Sequence, residues 1–217
     1  MNKQGGFFMV NKKWIYRLMV LLFFSLVYFT ENRYQFLILN VGLAYIPLEI
    51  AWLYAKNKQK MVSIVLLISW LLFYPNAFYM LTDFFHLSAV GMTISSPDVY
   101  FHFSLLTAGI MLGVFMGFES LTAVATKLKE TIFGNNLLLL SGFYVIISLL
   151  SAYAIYLGRF LRIHTVYLLT DFIGTMRTVA ETVDSEMIHF VGVFTLLHLF
   201  VLFLYQMAKI TPSKKGE

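Results

Sequence analysis

Met61-Val62-Ser63-Ile64-Val65-Leu66-Leu67-Ile68-Ser69-Trp70-Leu71-Leu72-Phe73-Tyr74-Pro75-Asn76-Ala77-Phe78-Tyr79-Met80-Leu81 contains no charged side chain. A helix of about 20 such residues, rising about 1.5 Å per residue, matches the roughly 30 Å hydrocarbon core of a bilayer. Similar apolar stretches recur on either side, at 14–30 and 34–54 before it and at 100–122, 136–157 and 187–207 after it. The sequence therefore predicts an all-α, polytopic membrane protein of about six transmembrane helices, forming a single transmembrane domain over 1–217. Composition agrees. Of the 217 residues, 59% are hydrophobic and 12% charged, whereas soluble domains carry about a quarter charged residues. A soluble enzyme, a disordered chain and a secreted disulfide scaffold are excluded, the last also by the absence of cysteine.

Lysines and arginines set the expected orientation. Lys3, Lys12, Lys13, Arg17, Lys56, Lys58, Lys60, Lys127, Lys129, Lys209, Lys214 and Lys215 fall at one end of the six spans. Arg33, Arg159, Arg162 and Arg177 fall at the other. Basic loops stay on the cytoplasmic side, so a cell-membrane, multi-pass protein with both termini cytoplasmic is expected. The first stretch follows Lys12 and Lys13 but is not followed by a small-residue cleavage site, and reads as an uncleaved span. The connection from Gly158 to Glu186, polar at its ends and apolar within, reads as an interfacial helix between spans five and six.

Polar groups inside a bilayer are costly and must be satisfied or used. Pro75 lacks an N–H, deprives the Leu71 carbonyl of its partner and should kink the third span. If helical geometry resumes, Asn76, Tyr79, Asp83 and His86 share an arc of roughly 80°. Asp83 and His86 are then candidates for acid–base work or ligand contact, with Asn76 and Tyr79 as hydrogen-bond partners. His102 precedes Gly109 by two turns and should face protein at the same level as Asp83. Arg159 and Arg162, three apart, would point the same way on a continuing helix. Either they pair with Asp83 or Asp98, or they clamp a phosphate or carboxylate.

Gly109, Gly113 and Gly117 recur every fourth residue, the spacing that lets another helix approach closely. They mark a helix–helix contact face, open to a partner protein or to the chain's own helices. Glu186 and His189, also three apart, are weak candidates for a metal, and no metal site is assigned. His198 lies mid-membrane and reads as a buried histidine bonded to a neighbouring helix. Glu49 and Glu119 should either reach the interface or bond Lys56 or Lys127. Asn40 and Pro47 share an inward face of the second span. No nucleophile elbow, zinc-protease motif or phosphate-binding glycine loop occurs, no cofactor is identifiable, and nothing suggests nucleic acid.

The residues alone therefore predict an outer-facing polar pocket at the ends of spans three, four and six, roofed by 158–186. It would bind or transport an anionic small molecule or lipid headgroup through Asn76, Tyr79, Asp83, His86, His102, Arg159 and Arg162, with the lipid bilayer as the constant partner. The alternatives are an outer-leaflet hydrolase or transferase, with or without a metal ion, using Asp83 or His86 as catalytic base, and a structural or assembly partner of another membrane protein.

The run from Tyr74 to Leu87, together with Gly158-Arg159-Phe160-Leu161-Arg162, resembles a family of small bacterial membrane proteins catalogued as domain of unknown function 1361. Where members usually carry a second proline, this chain has Phe78. Where they follow the arginine motif with a polar stretch, it has His164, Thr165, Val166 and Tyr167. The resemblance implies a bacterial polytopic membrane protein and carries no activity, substrate or cofactor.

Overall fold

A computed structural model describes residues 12–89, 96–160, 171, 173–174 and 183–209. Its helices are α1 (Lys12–Phe29), α2 (Phe36–Lys56), α3 (Lys60–Phe73), α4 (Pro75–Tyr79), α5 (Pro97–Leu128), α6 (Leu137–Phe160) and α7 (Ser185–Lys209). A 3-10 segment, Met80–Ala89, prolongs α4, and a π turn, Lys129–Phe133, closes α5. The expected interfacial helix of 158–186 lies almost wholly outside the described residues. Five helical stretches are long and apolar enough to cross a membrane: Phe36–Lys56, Lys60–Ser88, Pro97–Phe133, Leu137–Phe160 and Ser185–Lys209. α1 is shorter and begins with Lys12, Lys13 and Arg17, so length and composition alone do not make it a span. It nonetheless buries Val20, Phe23 and Val27 in the core.

α5 is the axis of the bundle. Half of its apolar window is buried inside the protein, against 22% for the α3–α4 span. The glycines explain how neighbours come so close to it. A Cβ at Gly109 would stand 2.7 Å from the Phe23 ring, and one at Gly117 would stand 2.7 Å from the Ala77 Cβ. At Gly113 it would collide with the Met80 thioether. The glycine face is thus covered by this chain's own α1, α4 and 3-10 segment. It is an internal seam, with small residues trading side-chain bulk for backbone approach.

Pro75 breaks the third span as expected: α3 stops at Phe73 and α4 begins at the proline. The broken turn repairs itself locally. The Ala77 amide donates to the Tyr74 carbonyl at 3.1 Å, and Asn76 Nδ2 donates to the Phe73 carbonyl at 3.0 Å. Beyond α4 the chain does not resume an α-helix. It tightens to three residues per turn, with Thr82 Oγ1 donating to the Tyr79 carbonyl at 2.7 Å and Ser88 Oγ to Phe85 at 2.9 Å. Such 3-10 runs rarely exceed one turn. Here the tightening makes positions 80, 83, 86 and 89 eclipse, which sets Asp83 directly beneath His86. It also carries the span's helical structure beyond the expected limit at 81.

The lysine-rich end is closed by ion pairs that differ from the expected ones. Arg17 grips Glu49 with two hydrogen bonds, Nε at 2.8 Å and Nη2 at 3.0 Å, and the Tyr45 hydroxyl also donates to Glu49. Glu119 receives Lys209 at 2.9 Å, the Tyr205 hydroxyl at 2.7 Å and Lys12 at 3.5 Å. Lys127, the expected partner of an acid, donates instead to the Tyr54 carbonyl at 2.6 Å and to that of Asn57. Helix ends leave carbonyls without partners, and the C-terminal end of α2 recruits the lysine to satisfy them. In mid-bundle, His198 Nε2 meets the Tyr74 hydroxyl at 2.9 Å and its ring stacks on Phe78 at 4.1 Å, the buried, helix-bonded histidine the sequence predicts.

Candidate functional site

The kink at Pro75 opens a cavity of about 200 Å³ at the lysine-poor end. Leu39, Asn40 and Leu43 of α2 form one wall, and Ala154, Ile155 and Gly158 of α6 form the other. Leu72, Pro75, Asn76 and Tyr79 make the floor. The walls therefore belong to spans two, three and five, not to spans three, four and six as the sequence suggested. Leu39 in its wall is 65% exposed, so the cleft is not sealed from the outside of the bundle. Its volume is below the roughly 300–1,000 Å³ of pockets that enclose a drug-sized ligand.

Asp83 lies at the edge of this cleft. It is only 1% exposed. One carboxylate oxygen, Oδ2, accepts a hydrogen bond from Asn40 Nδ2 at 2.7 Å. The other, Oδ1, has Arg159 Nη1 and His86 Nε2 each at 3.9 Å, too far for a hydrogen bond to either, and it is buried without a hydrogen-bond partner. Arg159 reaches inward from the last turn of α6 to donate to the Tyr79 hydroxyl at 3.4 Å. Its guanidinium also lies 6.0 Å from the Tyr79 ring and 5.9 Å from the Phe85 ring. Acid, guanidinium and phenol thus converge, but the acid and the guanidinium stop short of a closed pair.

The sequence-predicted residues divide. Asn76 and Tyr79 line the cleft; Asp83, His86 and Arg159 meet beside it. Arg162 lies outside the described residues. His102 is buried but belongs elsewhere: its Nε2 accepts the Arg33 amide at 3.1 Å, and its Nδ1 lies 2.8 Å from the Asp98 carbonyl. An acceptor Nε2 places the proton on Nδ1 in the neutral ring, so both nitrogens are spent joining the α1–α2 turn to the start of α5. Asp98, 3.2 Å from the same Nδ1, serves that histidine and not Arg159. Glu186 and His189 are both exposed and line a separate open groove with Tyr156, Phe160 and Phe190 of α6 and α7. Among the described residues no group of three or more His, Asp or Glu side chains gathers as a metal site would require. Sequence reasoning missed Asn40 as a site residue. A lone amide in an oily span was the available signal, because in lipid it must find a partner.

The fold and this cleft define an all-helical membrane protein with a polar recess at one end of the bundle. The family model described as a protein of unknown function (DUF1361) matches residues 39–201, and the chain belongs to that family. The match takes in every residue of the cleft and both motifs that carried the resemblance. Comparison with curated proteins and with solved structures found no match.

Proposed function

We propose that this is a multi-pass protein of a bacterial cell membrane, with both ends of the chain cytoplasmic, whose outer-facing cleft binds or transports an anionic small molecule or lipid headgroup. Arg159 is the anion contact, Tyr79 and Asn76 orient the ligand, and Asp83 with His86 sets the charge of the recess. The observation that carries the reading is the incomplete pair: a guanidinium 3.9 Å from a buried carboxylate, without a hydrogen bond between them, beside a cleft lined by Asn40, Asn76 and Tyr79. At the opposite end the Arg17–Glu49 pair closes at 2.8 Å. The clustering of Lys12, Lys13, Arg17, Lys127 and Lys209 at the opposite end supports the orientation.

Binding of anionic phospholipid to the purified chain, read by native mass spectrometry, tests the proposal. Arg159→Gln is expected to weaken it about ten-fold or more, because a charge-assisted hydrogen bond contributes about 1.5–3 kcal/mol. Unchanged lipid binding by a folded Arg159→Gln protein would contradict it.

A further inference from the structure

The amide orientations at the cleft are fixed by what they bond. Asn40 Nδ2 donates to a carboxylate oxygen and Asn76 Nδ2 to a backbone carbonyl. A backbone carbonyl and an ionised carboxylate only accept, so each amide presents its nitrogen there and its Oδ1 elsewhere. Both residues line the cleft. Asp83 is not itself a lining residue; its Oδ1, one contact behind Asn40, is a further acceptor, buried and without a hydrogen-bond partner. Pro47 has no N–H, so the Leu43 carbonyl on the same wall also lacks its helical donor. The Tyr79 hydroxyl accepts from Arg159 and keeps its own O–H to donate. The α2 and α4 side of the recess thus offers two amide oxygens beside the remaining amide N–H groups, with the Asp83 carboxylate behind Asn40 and the charged donor Arg159 beside Tyr79.

An anion alone would satisfy Arg159 and leave Asp83 a buried charge without compensation, which is the costly state. A ligand that brings its own cation restores the balance. The cation must sit close to the ligand's anion, because Asp83 Oδ1 and Arg159 Nη1 are only 3.9 Å apart. From this juxtaposition we infer that the cleft takes a zwitterion of the aminoalkyl phosphate class. Its primary ammonium donates to Asp83 Oδ1 and to the Asn40 and Asn76 amide oxygens, and its phosphate lies on Arg159. Leu39, Leu43 and Leu72 among the lining residues suit the chains of a lipid that carries such a headgroup. The inference rests on the anion-binding reading above and narrows its ligand.

The test compares headgroups on the full wild-type chain. Native mass spectrometry in detergent would read binding of phosphatidylethanolamine, phosphatidylglycerol, phosphatidic acid and phosphatidylcholine, and calorimetry would read soluble phosphoethanolamine. The ethanolamine lipid is expected to bind about ten-fold or more tightly than the glycerol lipid or phosphatidic acid, the size of one charge-assisted hydrogen bond. It should also exceed the choline lipid, whose trimethylated nitrogen has no N–H to donate. Asp83→Asn should reduce ethanolamine-lipid binding to the glycerol-lipid level. Soluble phosphoethanolamine binding as tightly as its lipid would support the same chemistry with a free ligand as its source. Equal binding of the glycerol and ethanolamine lipids would overturn the inference while leaving the anion site standing. Loss of Arg159 dependence across all the lipids would instead remove the anion-binding reading itself. Stabilisation by sodium or potassium alone, abolished by Asp83→Asn and with no ethanolamine preference, would assign the acceptors to a metal cation and overturn the inference. The wild-type series decides the matter even if Asp83→Asn does not fold.

Discussion

The two ends of this bundle use the same chemistry to opposite effect. At the lysine-rich end the two partly buried acids are answered: Glu49 by two guanidinium hydrogen bonds and a phenol, Glu119 by two lysines and a phenol. At the other end Asp83 is more deeply buried than either, yet one of its oxygens has no hydrogen bond and its arginine stands off. Side-chain reach does not explain the difference, since Arg159 has the same length as Arg17. The backbone does. The Pro75 kink and the 3-10 segment hold Asp83 against Asn40, and Arg159 is drawn to Tyr79. One end is finished as scaffold; the other keeps an ion pair open beside a cleft.

That contrast can be broken at its foundation or sharpened at its edges. The largest effect belongs to the seam both ends share. Gly117→Val should overpack α5 against Ala77 and cost about 1–3 kcal/mol or more, read as a lower melting temperature and reduced folded yield in detergent. His102→Phe removes the acceptor for the Arg33 amide and should cost about 1–2 kcal/mol by the same readout. Glu49→Gln should cost about 1 kcal/mol, because the pair is partly exposed and its worth is reduced by solvent. Asp83→Asn should be neutral, or stabilising by a fraction of a kcal/mol, since it removes a buried charge that lacks full compensation. A comparable loss in Asp83→Asn and Glu49→Gln would erase the distinction between the two ends. His86→Phe, at a side chain 39% exposed, should change stability least, within about 0.5 kcal/mol.

The spans were legible because the bilayer imposes length and apolarity, two properties read directly from a run such as 61–81. The kink was legible because proline has no N–H. The glycine spacing announced a close contact, but not that Phe23, Met80 and Ala77 of the same chain fill it, since four-residue spacing carries no information about what lies opposite. The pairing of Arg17 with Glu49 was hidden for a similar reason: it joins residues 32 positions apart that meet only once α1 and α2 lie antiparallel. His102 was placed with Asp83 by helical phase and depth, and phase cannot tell that a loop amide, Arg33, reaches the ring first. The walls of the cleft were missed because the 3-10 segment turns Asp83 toward Asn40 of α2, a rotation that an α-helical extrapolation past Pro75 does not give.

The most direct measurement is a pair of double-mutant cycles on thermal stability without added lipid, one for Asp83 with Arg159 and one for Glu49 with Arg17, each using the amide variants. Weaker coupling for Asp83 with Arg159 than for Glu49 with Arg17 is the expected result, because only the second pair shares hydrogen bonds. Equal coupling at the two ends would show that Asp83 and Arg159 form an ordinary closed ion pair, and the cleft would lose its claim to a ligand.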